Sequence, residues 1–252
     1  MRTLVITPTY NEADNLRVLV ERARTALPTA DLLIVDDASP DGTGALAESL
    51  AGDDGQLQVL HRDAKAGLGS AYRTGFSWGL ARGYEAFVEM DADLSHDPAD
   101  LPRLTHALRG ADLVIGSRYV PGGGVEDWPQ RRVALSKGGN RYVQLATGMP
   151  VADATSGFRA FRRALLEALE IPTLRSEGYC FQVETALRAW QAGFRVVEIP
   201  ITFVERQRGA SKISRAIVAE AVLRTAVWGV QGPRRPSATP PRSVGSVRPR
   251  RP

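Results

Sequence analysis

The chain has a single cysteine, Cys180, in 252 residues. That excludes an intramolecular disulfide and leaves no cysteine cluster for zinc or an iron–sulfur centre. No window approaches the roughly 20 consecutive apolar residues that a membrane-spanning helix needs. The N-terminal Met1-Arg2-Thr3-Leu4-Val5-Ile6-Thr7 enters a strand directly, without an apolar stretch long enough for a signal peptide, so a cytosolic location is expected. No Gly-x-Gly-x-x-Gly follows that first strand. Pro8-Thr9-Tyr10 stands there instead, which disfavours a nicotinamide-binding domain. Gly67-Leu68-Gly69 lacks the Lys-Ser/Thr of a phosphate-binding loop and reads as a helix-start turn.

What is present is ordinary globular composition, 43% hydrophobic and 24% charged, in a length that holds one large α/β domain or two small ones. The net charge of +4 is unevenly spread. Residues 232–252 carry six arginines and no acid, so the remaining chain is slightly acidic at −2. The tail is rich in Pro, Ser and Gly, and its composition predicts disorder. A basic arm can touch an anionic surface, but a slightly acidic body argues against nucleic acid as a partner.

Short apolar runs alternate with helical spacing. Thr3–Thr7, Leu32–Val35 and Leu57–Leu60 predict strands, as does Ala86–Val88. Leu16, Leu19, Val20, Ala23 and Leu27 recur at helical spacing, with Asn11 as the expected cap and Pro28 as the stop. Further helices are expected before Leu50 and from Gly67 to about Ala81, and Asp112–Ile115 predicts a fifth strand. Four strands alternating with three helices imply right-handed crossovers and a largely parallel sheet covered on both faces.

The fourth strand delivers Asp91 and Asp93. In an extended segment, residues two apart point the same way, so both acids are expected to face one side of the sheet's carboxyl rim. Two carboxylates that close repel unless a cation lies between them, and hard oxygen ligands suit Mg²⁺ or Mn²⁺.

The blocks Thr7–Glu12, Val35–Thr43 and Met90–His96 resemble the sugar-nucleotide half of a family 2 glycosyltransferase, more narrowly the polyprenol-phosphate (dolichol-phosphate) mannose synthases. The resemblance continues in order through Gly116–Tyr119, Gly122–Val125, Trp128–Arg132, Asp153–Arg159, Gly178–Glu184 and Arg206–Lys212. It implies an α/β GT-A (Rossmann-like) fold over residues 1–212 and inverting transfer of mannose from GDP-mannose to a polyprenyl phosphate. A UDP-glucose-dependent polyprenyl-phosphate glucosyltransferase is the alternative, because the same motifs serve both donors. A processive polysaccharide synthase is disfavoured, since no Gln-x-x-Arg-Trp occurs. A nucleotide-sugar or nucleic-acid binding module without turnover is the reading from another class.

By the same resemblance, Asp91 and Asp93 hold the pyrophosphate and metal, with Ser95 as a weaker third position. Pro8, Tyr10, Glu12, Val35 and Asp37 line the nucleoside site, and Ala92 and Arg118 belong to the donor site. Arg118 and Arg132 are expected to grip the acceptor phosphate, for which a planar guanidinium is well shaped. A solvated helix face is the plainer reading of Arg132. Arg206 and Lys212 flank Gly209 in a loop expected to close on the donor. A phosphate monoester is already ionised near neutral pH, so no strong general base is required. Glu184 is expected to orient neighbours, and for His96 a loop hydrogen bond is the favoured reading over a role as ligand.

Residues 213–231 read as an apolar helix interrupted by Glu220 and Arg224. Such a helix wants burial, either on its own domain or at a bilayer interface beside Trp228 and the arginine tail. Peripheral contact with the cytoplasmic membrane face is the resulting expectation.

Overall fold

The structure, a computed structural model, describes residues 1–174, 176–205 and 223–228. Nine strands form within these residues: β1 (Thr3–Thr9), β2 (Asp31–Asp36), β3 (Leu57–His61), β4 (Ala86–Glu89), β5 (Leu113–Ser117), β6 (Gly124–Glu126), β7 (Arg159–Arg162), β8 (Val196–Pro200) and β9 (Thr202–Val204). The helices are α1 (Ala13–Ala26), α2 (Thr43–Asp53), α3 (Leu68–Ala81), α4 (Leu101–Ala107), α5 (Gln130–Thr147), α6 (Arg163–Ala168) and α7 (Gly178–Gln191). Seven strands make one sheet in the order β3-β2-β1-β4-β7-β5-β8, while β6 and β9 pair separately. All pairs are parallel except those of β7, which runs antiparallel between β4 and β5.

Alternation along the strands builds two cores. Leu4, Ile6, Leu33, Val35, Phe87 and Phe161 face the layer that contains α3 and α7. Val5, Leu32, Ile34, Val88 and Ala160 face the layer of α1 and α4. Successive side chains on a strand point to opposite faces, so near-continuous apolar runs are what a sheet covered on both sides requires. The strand order reverses between β1 and β4. In open α/β sheets this leaves a crevice beyond the strand ends, where ligands bind.

Helix α3 approaches the sheet closely because Gly75 and Gly79, one turn apart, face it. A Cβ at Gly75 would lie 2.6 Å from Ile6, and one at Gly79 would lie 2.5 Å from Phe87 and 2.7 Å from Leu4. This contact sets the height of α3, which brings Tyr72 to the end of β4.

Three local expectations need correction. Asn11 does not cap α1: it adopts a left-handed conformation with φ 57° and gives its N–H to Ser39 Oγ. The free N–H of Ala13 goes instead to the Asp41 carboxylate at 3.1 Å, so an acid from the loop after β2 serves the helix end. The fifth strand starts one residue later than expected and runs to Ser117. Strand β4 ends at Glu89, so Asp91 and Asp93 lie in the turn beyond it and their direction does not come from strand alternation.

The boundary expected at residues 212–213 and the basic tail lie outside the described residues, as does most of the helix expected over 213–231. Within 223–228 the chain is helical, with Thr225 buried and Trp228 packed on the core while Leu223 and Val227 are exposed.

Gly79→Val should destabilise the fold by roughly 1–3 kcal/mol, because Leu4 and Phe87 must move to admit the side chain. Urea unfolding would show a lower midpoint with an unchanged slope, and an unchanged midpoint would refute the close approach of α3.

Candidate active site

Loops from the sheet's carboxyl rim and the starts of two helices enclose a cavity of about 350 Å³. Pro8, Thr9 and Tyr10 line it from β1, Asp91, Ala92 and Asp93 from the turn after β4, and Arg118 from the end of β5. Trp128 and Arg132 contribute from the start of α5, Thr155–Gly157 from the loop before β7, and Tyr179 and Gln182 from α7.

The acidic wall is braced from behind. The Tyr72 hydroxyl donates to Asp91 Oδ1 at 3.3 Å, and burial with the neighbouring carboxylates holds that phenol well above its usual range, so it remains a donor. Asp93 Oδ1 accepts the Ser95 N–H at 3.1 Å. His96 is buried, stacked on Phe158 at 5.0 Å and edge-on to Phe203. Burial pushes its pKa down to about 4 against the attraction of Asp93, so the ring is neutral at pH 7. Its Nδ1 has no hydrogen-bond partner and lies 4.0 Å from Asp91 Oδ2. Beneath the turn, Glu89 faces Arg159 across the ladder of β4 and β7. Burial raises Glu89 to about 8 despite the nearby guanidinium, so it carries its proton at neutral pH.

The cationic wall consists of paired charges. Arg118 is bound edge-on by Asp153, Nε at 2.7 Å and Nη2 at 2.6 Å, and its backbone N–H meets the same carboxylate at 3.0 Å. Burial alone would raise the Asp153 carboxyl, but the Arg118 hydrogen bonds and charge outweigh it and lower its pKa from the ordinary carboxylate value. Arg132 forms an ion pair with Glu205 and lies 3.9 Å over the Trp128 ring. Arg132 is therefore a cavity residue and not a solvated helix face. Arg159, fully buried, donates to the carbonyls of Ala154, Ser156 and Gln182, which ties the 154–157 loop to α7.

Pro8, Tyr10, Glu12, Asp37, Asp91, Ala92, Asp93, Arg118 and Arg132 all border this one cavity. Val35 does not: its side chain is fully buried in the core beneath the rim. Ser95 also lies off the cavity lining, with its hydroxyl buried. Arg206 and Lys212 lie outside the described residues. Glu184 turns its carboxylate to Arg188 at 2.5 Å and to the Ser176 N–H, away from the cavity. Asp37 is already engaged by Arg62 at 2.6 Å and by the Ala66 N–H.

Several residues of the site were given no role by the sequence reading. Tyr72 and Arg62 brace Asp91 and Asp37 from outside the cavity lining and carry no motif, and Asp153 stood in a resemblance block with nothing to show that it holds Arg118. Lys65, whose ammonium sits 4.0 Å over the Tyr10 ring, stands in a stretch with no periodicity to mark it. Tyr179 and Gln182 stood in the resemblance block Gly178–Glu184 but were assigned no role there.

Among the described residues, no three His, Cys, Asp or Glu side chains converge into a closed metal cage. The donor set fits an open site nonetheless. Asp91 and Asp93 supply hard oxygens, and the orphaned His96 nitrogen faces the first of them.

A three-layer sheet with a reversed strand order, acids at the crevice and guanidinium groups opposite define a glycosyltransferase of the GT-A type. Residues 4–170 match the family model described as glycosyl transferase family 2, and the chain belongs to that family. It is 54% identical over 233 residues to the polyprenol monophosphomannose synthase of Mycolicibacterium smegmatis, covering 92% of this chain and 88% of that one. It is 51% identical over 230 residues to the undecaprenyl-phosphate mannosyltransferase of Micrococcus luteus, covering 91% and 95%. The fold is similar to that of the mannosyltransferase from Pyrobaculum calidifontis solved with GDP-Man and Mn²⁺, with a TM-score of 0.57 at 20% identity, covering 91% of this chain and 74% of that one.

The two buried titrating groups have opposite effects on stability. His96, depressed in the fold, adds stability above pH 6.5 that is lost as pH falls towards 4. Glu89, raised in the fold, costs stability as pH climbs from its unfolded value of 4.5 to about 8. Between about pH 6.5 and 8 only Glu89 of the pair is changing, so thermal stability should fall with rising pH, by at most about 1.4 kcal/mol per unit. Glu89→Gln should flatten that slope in a thermal unfolding series, and a slope of equal size in the variant would refute the assignment.

Proposed function

We propose that the chain transfers mannose from GDP-mannose to a polyprenyl phosphate with inversion, giving a β-linked mannosyl phosphate lipid. The observation that carries this reading is identity above one half, over nearly the full chain, to two relatives named for mannosyl transfer to polyprenyl carriers. The cavity suits the chemistry: an acidic wall for a cation-bound diphosphate, an aromatic and acidic nucleoside end, and guanidinium groups for an acceptor phosphate.

A divalent cation, Mg²⁺ or Mn²⁺, would be held at Asp91 and Asp93, where it offsets the charge that builds on the departing diphosphate. The chain's own residues do the rest. Tyr72 fixes the rotamer of Asp91, Tyr10 offers a ring to the base, and Glu12 and Asp37 accept hydrogen bonds from base or ribose. Arg118, held rigidly by Asp153, and Arg132 orient the acceptor phosphate on the far side of the anomeric carbon. The acceptor's oxygen attacks as an anion, the C–O bond to the diphosphate breaks, and no residue needs to take a proton. Glu205 is the group that the acceptor phosphate displaces from Arg132, so the grip strengthens only when acceptor is present.

No helix among the described residues is long and apolar enough to cross a membrane. Peripheral contact on the cytoplasmic face is the arrangement we propose for reaching the lipid. Residues 1–212 are proposed as the catalytic unit.

Incubation with GDP-mannose, Mg²⁺ or Mn²⁺ and a polyprenyl phosphate should yield a mannosyl lipid, and UDP-glucose should compete poorly. Preferential use of UDP-glucose would overturn the donor assignment. Asp91→Asn should lower turnover by about a hundredfold or more while the protein stays folded. Arg132→Ala should raise the KM for the lipid phosphate and leave GDP binding, read by calorimetry, unchanged. A normal response of that variant to acceptor would reject Arg132 as a phosphate grip.

A further inference from the structure

We propose that the imidazole of His96 supplies a nitrogen ligand to the divalent cation of the donor site, beside Asp91, and that the Ser95 hydroxyl does not. This rests on the reading that a cation accompanies the donor diphosphate.

The first support is an unsatisfied atom. His96 Nδ1 is buried without a hydrogen-bond partner, a state that carries a desolvation penalty unless something fills it. Its neighbour across the gap is Asp91 Oδ2, 4.0 Å away. Ligands of an octahedral Mg²⁺, with bonds of about 2.1 Å, lie about 3 Å apart when adjacent and about 4.2 Å apart when opposite. The observed separation falls between these, so a cation enters with small side-chain adjustments.

The second support is orientation. The Tyr72 hydroxyl occupies Asp91 Oδ1 and so turns Oδ2 towards the histidine. Phe158 stacks on the imidazole with an interplanar angle of 20°, and Phe203 meets it edge-on at 81°. The ring is thereby fixed with Nδ1 facing the carboxylate. Gly157 borders the gap: a Cβ there would stand in ordinary contact, 3.5 Å from Asp91 Oδ2 and 3.8 Å from His96 Cε1. Ser95 Oγ is also buried without a partner, but Ser95 does not border the cavity, whereas His96 does.

The remaining positions on the cation fall to Asp93 and to diphosphate oxygens, consistent with the absence of a closed protein cage among the described residues. A nitrogen donor in place of a hydroxyl favours Mn²⁺ over Mg²⁺, since imidazole suits transition metals and Mg²⁺ prefers oxygen.

The test uses the full chain with Mn²⁺ and GDP, read by electron spin-echo modulation on protein with and without isotope-labelled histidine. Labelling separates a histidine nitrogen from the nitrogens of guanine. Wild type and Ser95→Ala should show histidine coupling to Mn²⁺. His96→Phe preserves the aromatic stack and removes the nitrogen. It should lose the coupling and weaken Mn²⁺ binding at least about tenfold, the scale on which even outer-sphere partners act. Mn²⁺ bound by wild type without histidine coupling would overturn the proposal, as would His96→Phe with wild-type affinity. Failure of wild type to bind Mn²⁺ with GDP, matching Asp91→Asn, would instead overturn the cation reading beneath it.

Discussion

The crevice between β1 and β4 is the constraint on which the site depends. The chain leaves β1 towards β2 on one side and leaves β4 towards the β5 side on the other, so the loops after these two strands part at the rim. The loops after them are free to carry polar groups that a crossover would otherwise bury. Tyr10 and Glu12 follow one strand, Asp91 and Asp93 the other, and the parallel register of β1 on β4 places both loops at the same height. Close packing of α3 through Gly75 and Gly79 then sets the depth from which Tyr72 braces the acids.

Charge is handled by pairing before any substrate arrives. Arg118 is bound to Asp153, Arg132 to Glu205 and Asp37 to Arg62. Buried ion pairs of this kind add little net stability, because desolvation offsets most of the attraction. Their value is geometric. A guanidinium held along one edge, as Arg118 is by Asp153, cannot swing away, and orientation of reacting groups accounts for a large part of catalysis when the nucleophile is already ionised. Arg159 plays the same part for the backbone, since a single buried cation fixes three carbonyls and with them the Gly157 loop beside Asp91.

Most of the rim was legible in the residues. Apolar runs of alternating strand and helix spacing predict the order of elements up to β4, and most of the expected site residues meet at one cavity. The errors are local. Val35 is an apolar strand residue whose side chain takes the core face, and Asn11 was read as a cap when a distant acid, Asp41, supplies that bond. The antiparallel insertion of β7 between β4 and β5 had no signal, because a strand's pattern shows which faces are buried and not which neighbour it pairs with.

By itself the sequence determined the periodicities, the acid pair and the inventory of arginines, all of which are encoded by local spacing and residue type. Only the tertiary structure decided what each charge faces. Arg118 meets Asp153 35 residues away and Arg132 meets Glu205 73 residues away, partnerships that strand order and loop path create and local spacing cannot express. The same holds for His96. Its place after Asp91 and Asp93 marks it in the chain, but its burial, its fixed ring and its unpartnered nitrogen exist only once Phe158 and Phe203 have packed around it.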